Sequence, residues 1–76
     1  MEVGEKLKDF REKRGVSKAH VSRMTGIARS RLYMFETGRT RVPFEDLLKI
    51  VRLGLHSTME EFFKEEFPDG GPKGLM

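Results

Sequence analysis

The chain has 76 residues, 37% hydrophobic and 36% charged, enough for one small domain with a thin core. It has no cysteine, which excludes disulfide staples and thiolate zinc sites. Its two histidines, His20 and His56, stand far apart in sequence, which favours ordinary helix and loop positions over a metal cluster. The net charge of +3 divides unevenly: residues 1–42 carry +6 and residues 43–76 carry −3. A basic first half suggests a face for a polyanion, and an acidic second half suggests a face kept away from it. No apolar run approaches the ~20 residues of a membrane span, and the N-terminus lacks an apolar signal core. A soluble, cytoplasmic protein without cofactor or metal is expected.

In chain order, Val3, Leu7, Phe10 and Arg14 follow helical spacing and predict a first helix from Val3 to Arg14, stopped by Gly15. Lys13 and Arg14 suit the negative end of its dipole. Ser17 is a good N-cap for a second helix over residues 18–25. Gly26 supplies the turn, and a third helix is expected from Ala28 to Thr37, ended by Gly38. Ala28 is a weak cap. After the loop Arg39–Val42, Pro43 opens a fourth helix from Phe44 to Leu53, with Glu45 and Asp46 at its positive end. Phe44, Leu47, Leu48, Ile50 and Val51 give it a broad apolar face, and Gly54 is the expected C-cap. Ser57 and Thr58 open a last helix, each with a glutamate three residues on. That helix should stop before Pro68. Residues 1–67 then form one domain, and residues 68–76, rich in Gly and Pro, form a flexible tail. No segment alternates with a period of two, so the fold class is all-α with five helices.

The segment from Ser17 to Gly38 carries the most information. Val21, Ile27, Leu32 and Phe35 can close a core beneath a tight turn at Gly26, and Ser22 is small enough for two helices to approach. The third helix then presents Arg29, Ser30, Arg31, Tyr33 and Met34 outward. Thr25 can bury its methyl, but its hydroxyl then needs a partner, such as a carbonyl one turn back.

From Leu7 to Phe63, about three quarters of the chain, the sequence resembles the lambda-repressor-like helix-turn-helix family of Cro/C1 or XRE type. The resemblance rests on Arg11, Ser17-Lys18, Gly26, the string Leu32-x-x-Phe35-Glu36-x-Gly38, and Leu47-Leu48-x-Ile50. It implies a partly buried ion pair between Arg11 and Glu36, and a third helix that enters the major groove. By position in the motif, Arg29, Ser30 and Met34 match base-contacting sites, and Arg31 and Tyr33 reach bases or phosphates. Arg29 can grip guanine O6 and N7 with two hydrogen bonds. Met34 departs from the polar residue usual there and would touch a thymine methyl. Tyr33 and Met34 could equally just cover the edge of the core. Ser17, Lys18, Thr37, Arg39, Thr40 and Arg41 match phosphate-contacting sites, with Arg23 and Lys13 as weaker additions.

Proteins of this type commonly bind inverted half-sites as dimers. The aromatic last helix is the expected dimer face, through Leu55, Met59, Phe62, Phe63 and Phe67, with one ring of the Phe62/Phe63 pair inside the monomer. The leading expectation is a sequence-specific double-stranded DNA-binding regulator, more a repressor than an enzyme-linked sensor, acting as a homodimer; whether it represses or activates depends on where its site lies relative to a promoter. The alternative is an antitoxin or adaptor that engages a protein partner, such as a toxin or other regulator, through the acidic, phenylalanine-rich end. An enzyme is poorly supported, because no nucleophile, base and third member converge.

Overall fold

A computed structural model describes residues 2–64. The expected tail at residues 68–76, and Phe67, lie outside that range. Five helices follow one another: α1 (Val3–Lys13), α2 (Lys18–Thr25), α3 (Arg29–Glu36), α4 (Phe44–Lys49) and α5 (Met59–Lys64). Among the described residues there is no strand. Helix α4 runs directly into a wider π-type turn over Ile50–Gly54.

Local chemistry sets most boundaries. The Glu2 backbone N–H donates to Glu5 Oε1 at 3.3 Å across the first turn of α1. Ser17 Oγ accepts the His20 N–H at 3.0 Å and caps α2. Gly26 closes α2 at φ 80°, a left-handed angle that costs glycine nothing. Ala28 gives α3 no side-chain cap, so only its carbonyl receives the Arg31 and Leu32 N–H groups, each at 3.0 Å. Thr58 rather than Ser57 caps α5, with its Oγ1 accepting the Glu61 N–H at 3.0 Å.

The core joins every element. Leu7 and Phe10 of α1, Val21 of α2, and Leu32 and Phe35 of α3 are buried together with Leu47, Ile50, Val51, Leu55 and Phe62. Phe10 meets Phe62 edge-on, with ring centroids 5.2 Å apart. That geometry suits the ring quadrupoles and ties the first helix to the last. Helix α1 packs on α3, α2 packs on α3 and the π-type turn, and α5 packs on that turn.

Four expectations change. The fourth helix does not continue as α-helix to Leu53: from Ile50 the turn widens, and the Leu55 N–H reaches the Ile50 carbonyl five residues back at 2.8 Å. The wider turn places Ile50 and Leu55 on one side, and both are buried. Gly54 is not a cap but a point of close approach, since a Cβ there would stand 2.8 Å from Val21 Cγ1. The left-handed residue that ends the segment is His56, at φ 53°. Phe44, read as part of the apolar face, is 68% exposed at the first position of α4. Val3 likewise points partly outward, and Gly4 takes its place against α3, where an added Cβ would collide with the Phe35 carbonyl oxygen.

Candidate nucleic-acid interface

Two helices joined at Gly26 form the unit that presents α3. Thr25 secures the turn: its hydroxyl donates to the Val21 carbonyl at 2.7 Å, one turn back, and accepts the Ile27 N–H at 3.1 Å. Both capacities of the hydroxyl are used, so the threonine sits half-buried at no cost of an orphaned polar group. Ser22 is half-buried, and α2 also approaches the π-type turn closely through Val21, where a Cβ on Gly54 would stand 2.8 Å from Val21 Cγ1.

The inner side of α3 is pinned. Leu32 and Phe35 are in the core, and Glu36 is buried with Arg11. Arg11 Nε donates to Glu36 Oε2 at 2.7 Å and Nη2 to Glu36 Oε1 at 3.0 Å, a bidentate fork. Arg11 Nη1 donates to the Val16 carbonyl at 2.7 Å, so the guanidinium also holds the loop before α2. The hydrogen bond to Glu36 raises the Arg11 pKa above its ordinary value, against the opposing effect of burial. Among the described residues no buried side-chain polar atom lacks a partner.

The outer side of α3 is different. Arg29, Ser30, Arg31 and Tyr33 are exposed and Met34 is half-buried, so four of the five expected base readers face solvent. Arg29 makes no side-chain hydrogen bond or ion pair among the described residues. Arg31 does: its Nη2 lies 3.2 Å from Asp46 Oδ2, and its guanidinium sits 5.3 Å from the Phe35 ring centroid. Asp46 was read only as a helix-dipole residue. Nothing in the spacing revealed that α4 aims it at α3.

The expected phosphate contacts flank this surface. Ser17 is exposed and Lys18 half-buried at the start of α2. Thr37, Arg39, Thr40 and Arg41 are all exposed beyond α3. Their backbone is ordered by the helix end: the Arg39 and Thr40 N–H groups both reach the Met34 carbonyl, at 3.0 and 3.2 Å. The Thr37 hydroxyl donates to the Tyr33 carbonyl at 2.9 Å. Arg39 and Arg41 have no side-chain partner among the described residues. The two weaker additions are differently placed. Lys13 pairs with Asp9 at 3.1 Å, and Arg23 leans on His20.

The expected dimer face needs correction. Leu55 and Phe62 are not available to a partner, being 3% and 0% exposed within the monomer core. Phe62 is the inner ring of the pair and Phe63, 42% exposed, the outer one. Met59 is half-buried against the core.

Two clusters escaped the sequence reading. Arg14, placed there for the helix dipole, instead reaches across to α5, with Nη2 3.1 Å from Ser57 Oγ and 3.3 Å from Glu61 Oε1. Ser57 Oγ donates to Glu61 Oε1 at 2.7 Å. That hydrogen bond, with help from Arg14, lowers the Glu61 pKa below the usual carboxylate value. The second is His20 with His56, which the fold brings within 3.4 Å of each other. Their distance in sequence concealed it.

This architecture defines a helix-turn-helix protein, and comparison with known families agrees. Residues 2–56 match the model of the helix-turn-helix domain family, and the chain belongs to that family. No match was found among curated proteins or among solved structures. A helix-turn-helix unit with a basic outer side points to DNA as the partner. Among the described residues no helix is long and apolar enough to cross a membrane, and no three potential ligands gather around a metal position.

Proposed function

We propose that this protein is a sequence-specific regulator of XRE, or Cro/C1, type that binds double-stranded DNA in the cytoplasm. It acts as a repressor on an inverted-repeat operator. The observation that carries this reading is the division of α3: Leu32, Phe35 and Glu36 are committed inward, while Arg29, Ser30 and Tyr33 are exposed and Arg29 has no side-chain partner among the described residues. A major groove about 12 Å wide admits such a helix. Arg29 and Ser30 read bases, with Tyr33 and Met34 at the edge of the contact. Arg31 must leave Asp46, or share it, to reach the DNA. Ser17, Lys18, Thr37, Arg39, Thr40 and Arg41 grip phosphates. A homodimer would supply the second half-site through Phe63 and the exposed part of Met59. The adaptor alternative would rest on the exposed Phe63 and the acidic Glu60 and Glu61 of α5, since Phe62 belongs to the monomer core.

The test is a gel-shift measurement on genomic fragments at low and moderate salt, followed by sequencing of the bound fraction. Binding should weaken steeply with salt, with log affinity falling by roughly 0.9 per phosphate contact per log unit of salt. Absence of any binding at low salt would sink the DNA reading. With a selected site in hand, Arg29→Ala should lose about 1–3 kcal/mol of discrimination while nonspecific binding changes little. Arg41→Ala should weaken both alike.

A further inference from the structure

His20 lies in the first half of α2 and His56 in the connection between the π-type turn and α5, and their Nε2 atoms stand 3.4 Å apart. The ring centroids are 5.6 Å apart and the ring planes meet at 51°. Most of the difference between those two distances is the reach of each ring from its centre to Nε2, so the two nitrogens face each other apex to apex. His56 is the one non-glycine residue with positive φ among the described residues, at 53°, and its ring lies against His20 of α2. Histidine is among the residue types that tolerate such angles.

We propose that His20 and His56 form a two-nitrogen site for a zinc-class divalent cation. With zinc–nitrogen distances of about 2.0–2.1 Å and tetrahedral angles, two ligating nitrogens stand about 3.3–3.4 Å apart, so the separation already fits and a modest rotation of each ring turns its Nε2 lone pair from the opposite nitrogen toward a shared ion. Imidazole donors favour zinc, nickel and copper over magnesium and calcium, which take oxygen ligands. Solvent completes the coordination, since among the described residues no third side chain converges on the pair. His20 is half-buried and His56 exposed, so an ion can enter from water. The ion would clamp α2 to the connection that leads into α5. It would bind the folded chain far better than the unfolded one, where 36 residues of sequence separate the two rings.

Arg23 opposes the ion. Its Nη2 lies 3.4 Å from His20 Nδ1, a cation beside the site and a donor aimed at the nitrogen that must itself carry the proton once Nε2 binds metal. Removing the Arg23 charge should therefore tighten binding.

The experiment titrates zinc chloride into the full chain, with magnesium chloride as control. Tm is followed by circular dichroism and the imidazole nitrogens by NMR. Zinc should raise Tm in a concentration-dependent way and shift both Nε2 resonances together, while magnesium does neither. His20→Gln and His56→Asn, the latter keeping a residue that accepts the left-handed angle, should each abolish the rise. Arg23→Gln should lower the zinc concentration at half-effect. An unchanged Tm in the natural protein would overturn the proposal. So would an equal rise in the His20→Gln/His56→Asn double variant, which would place the ion elsewhere.

Discussion

The two sides of α3 differ in how much of their chemistry the fold consumes. On the inner side every group is engaged: Phe35 is fully buried, and Glu36 gives both carboxylate oxygens to Arg11. On the outer side Arg29, with more hydrogen-bonding capacity than Glu36, has no side-chain partner among the described residues. One eight-residue helix therefore keeps its structural work on one side and leaves the chemistry proposed for recognition on the other. Arg31 is the exception, since Asp46 holds it from α4.

That contrast can be broken from the inside first. Glu36→Ala strands the Arg11 guanidinium in a site where both it and its partner are about nine-tenths buried, and should cost about 3–5 kcal/mol in urea denaturation. The same measurement on Arg29→Ala should move stability by less than ~0.5 kcal/mol, as expected for a surface change that breaks no contact. Comparable losses for the two variants would erase the division of the helix.

A medium effect is expected one layer below. Gly54→Ala pushes a methyl against Val21, 2.8 Å from Cγ1, and overpacking of this kind costs about 1–3 kcal/mol. Adding Val21→Ala should recover part of that loss, because it removes the two methyls that collide. No recovery would show that α2 is seated by something other than this contact.

The smallest effect concerns pH. The Glu61 pKa is lowered in the folded protein, chiefly by the Ser57 hydroxyl, so its stabilising contribution is present above the ordinary carboxylate range. It is lost as pH falls through the lowered value. Ser57→Ala removes the main cause, so the fall in Tm between about pH 6 and about pH 3 should be shallower than in the natural protein. An equally steep fall would assign the acid sensitivity to other groups.

Much of the reading unit was legible in the sequence, because its signals are local. The span of α2, the Ser17 cap and the turn at Gly26 each follow from one or two adjacent residues, and the structure reproduces all three. The Thr25 hydroxyl was legible because a half-buried polar group has few places to turn. The Arg11–Glu36 pair needed the family resemblance, since 25 residues separate its members. The π-type turn was not legible. Ile50, Val51, Leu53 and Leu55 are apolar on every side, so the pattern cannot distinguish contacts four residues apart from contacts five apart. Leu55 was misassigned to a surface for that reason, and Gly54 was read as a stop when its missing side chain is what admits Val21. Phe44 was misplaced because residue type says little about which way the first residue of a helix points. In the candidate site, Arg29 and Ser30 were picked out by position in the motif, and the structure leaves both exposed. The Asp46 hold on Arg31 depends on how α4 crosses α3, which no short spacing encodes.

The unengaged outer side of α3 has a consequence for how such a protein can change. Because Arg29 and Ser30 make no side-chain contact that holds the fold among the described residues, then on the proposed reading substitutions there would alter which DNA is preferred without eroding the scaffold, and variants with new targets could be reached one step at a time. Position 31 is less free, since a new residue there must also replace what Asp46 receives from Arg31. Diversification, whether natural or by design, should therefore run through positions 29 and 30 first and reach position 31 only in company with position 46.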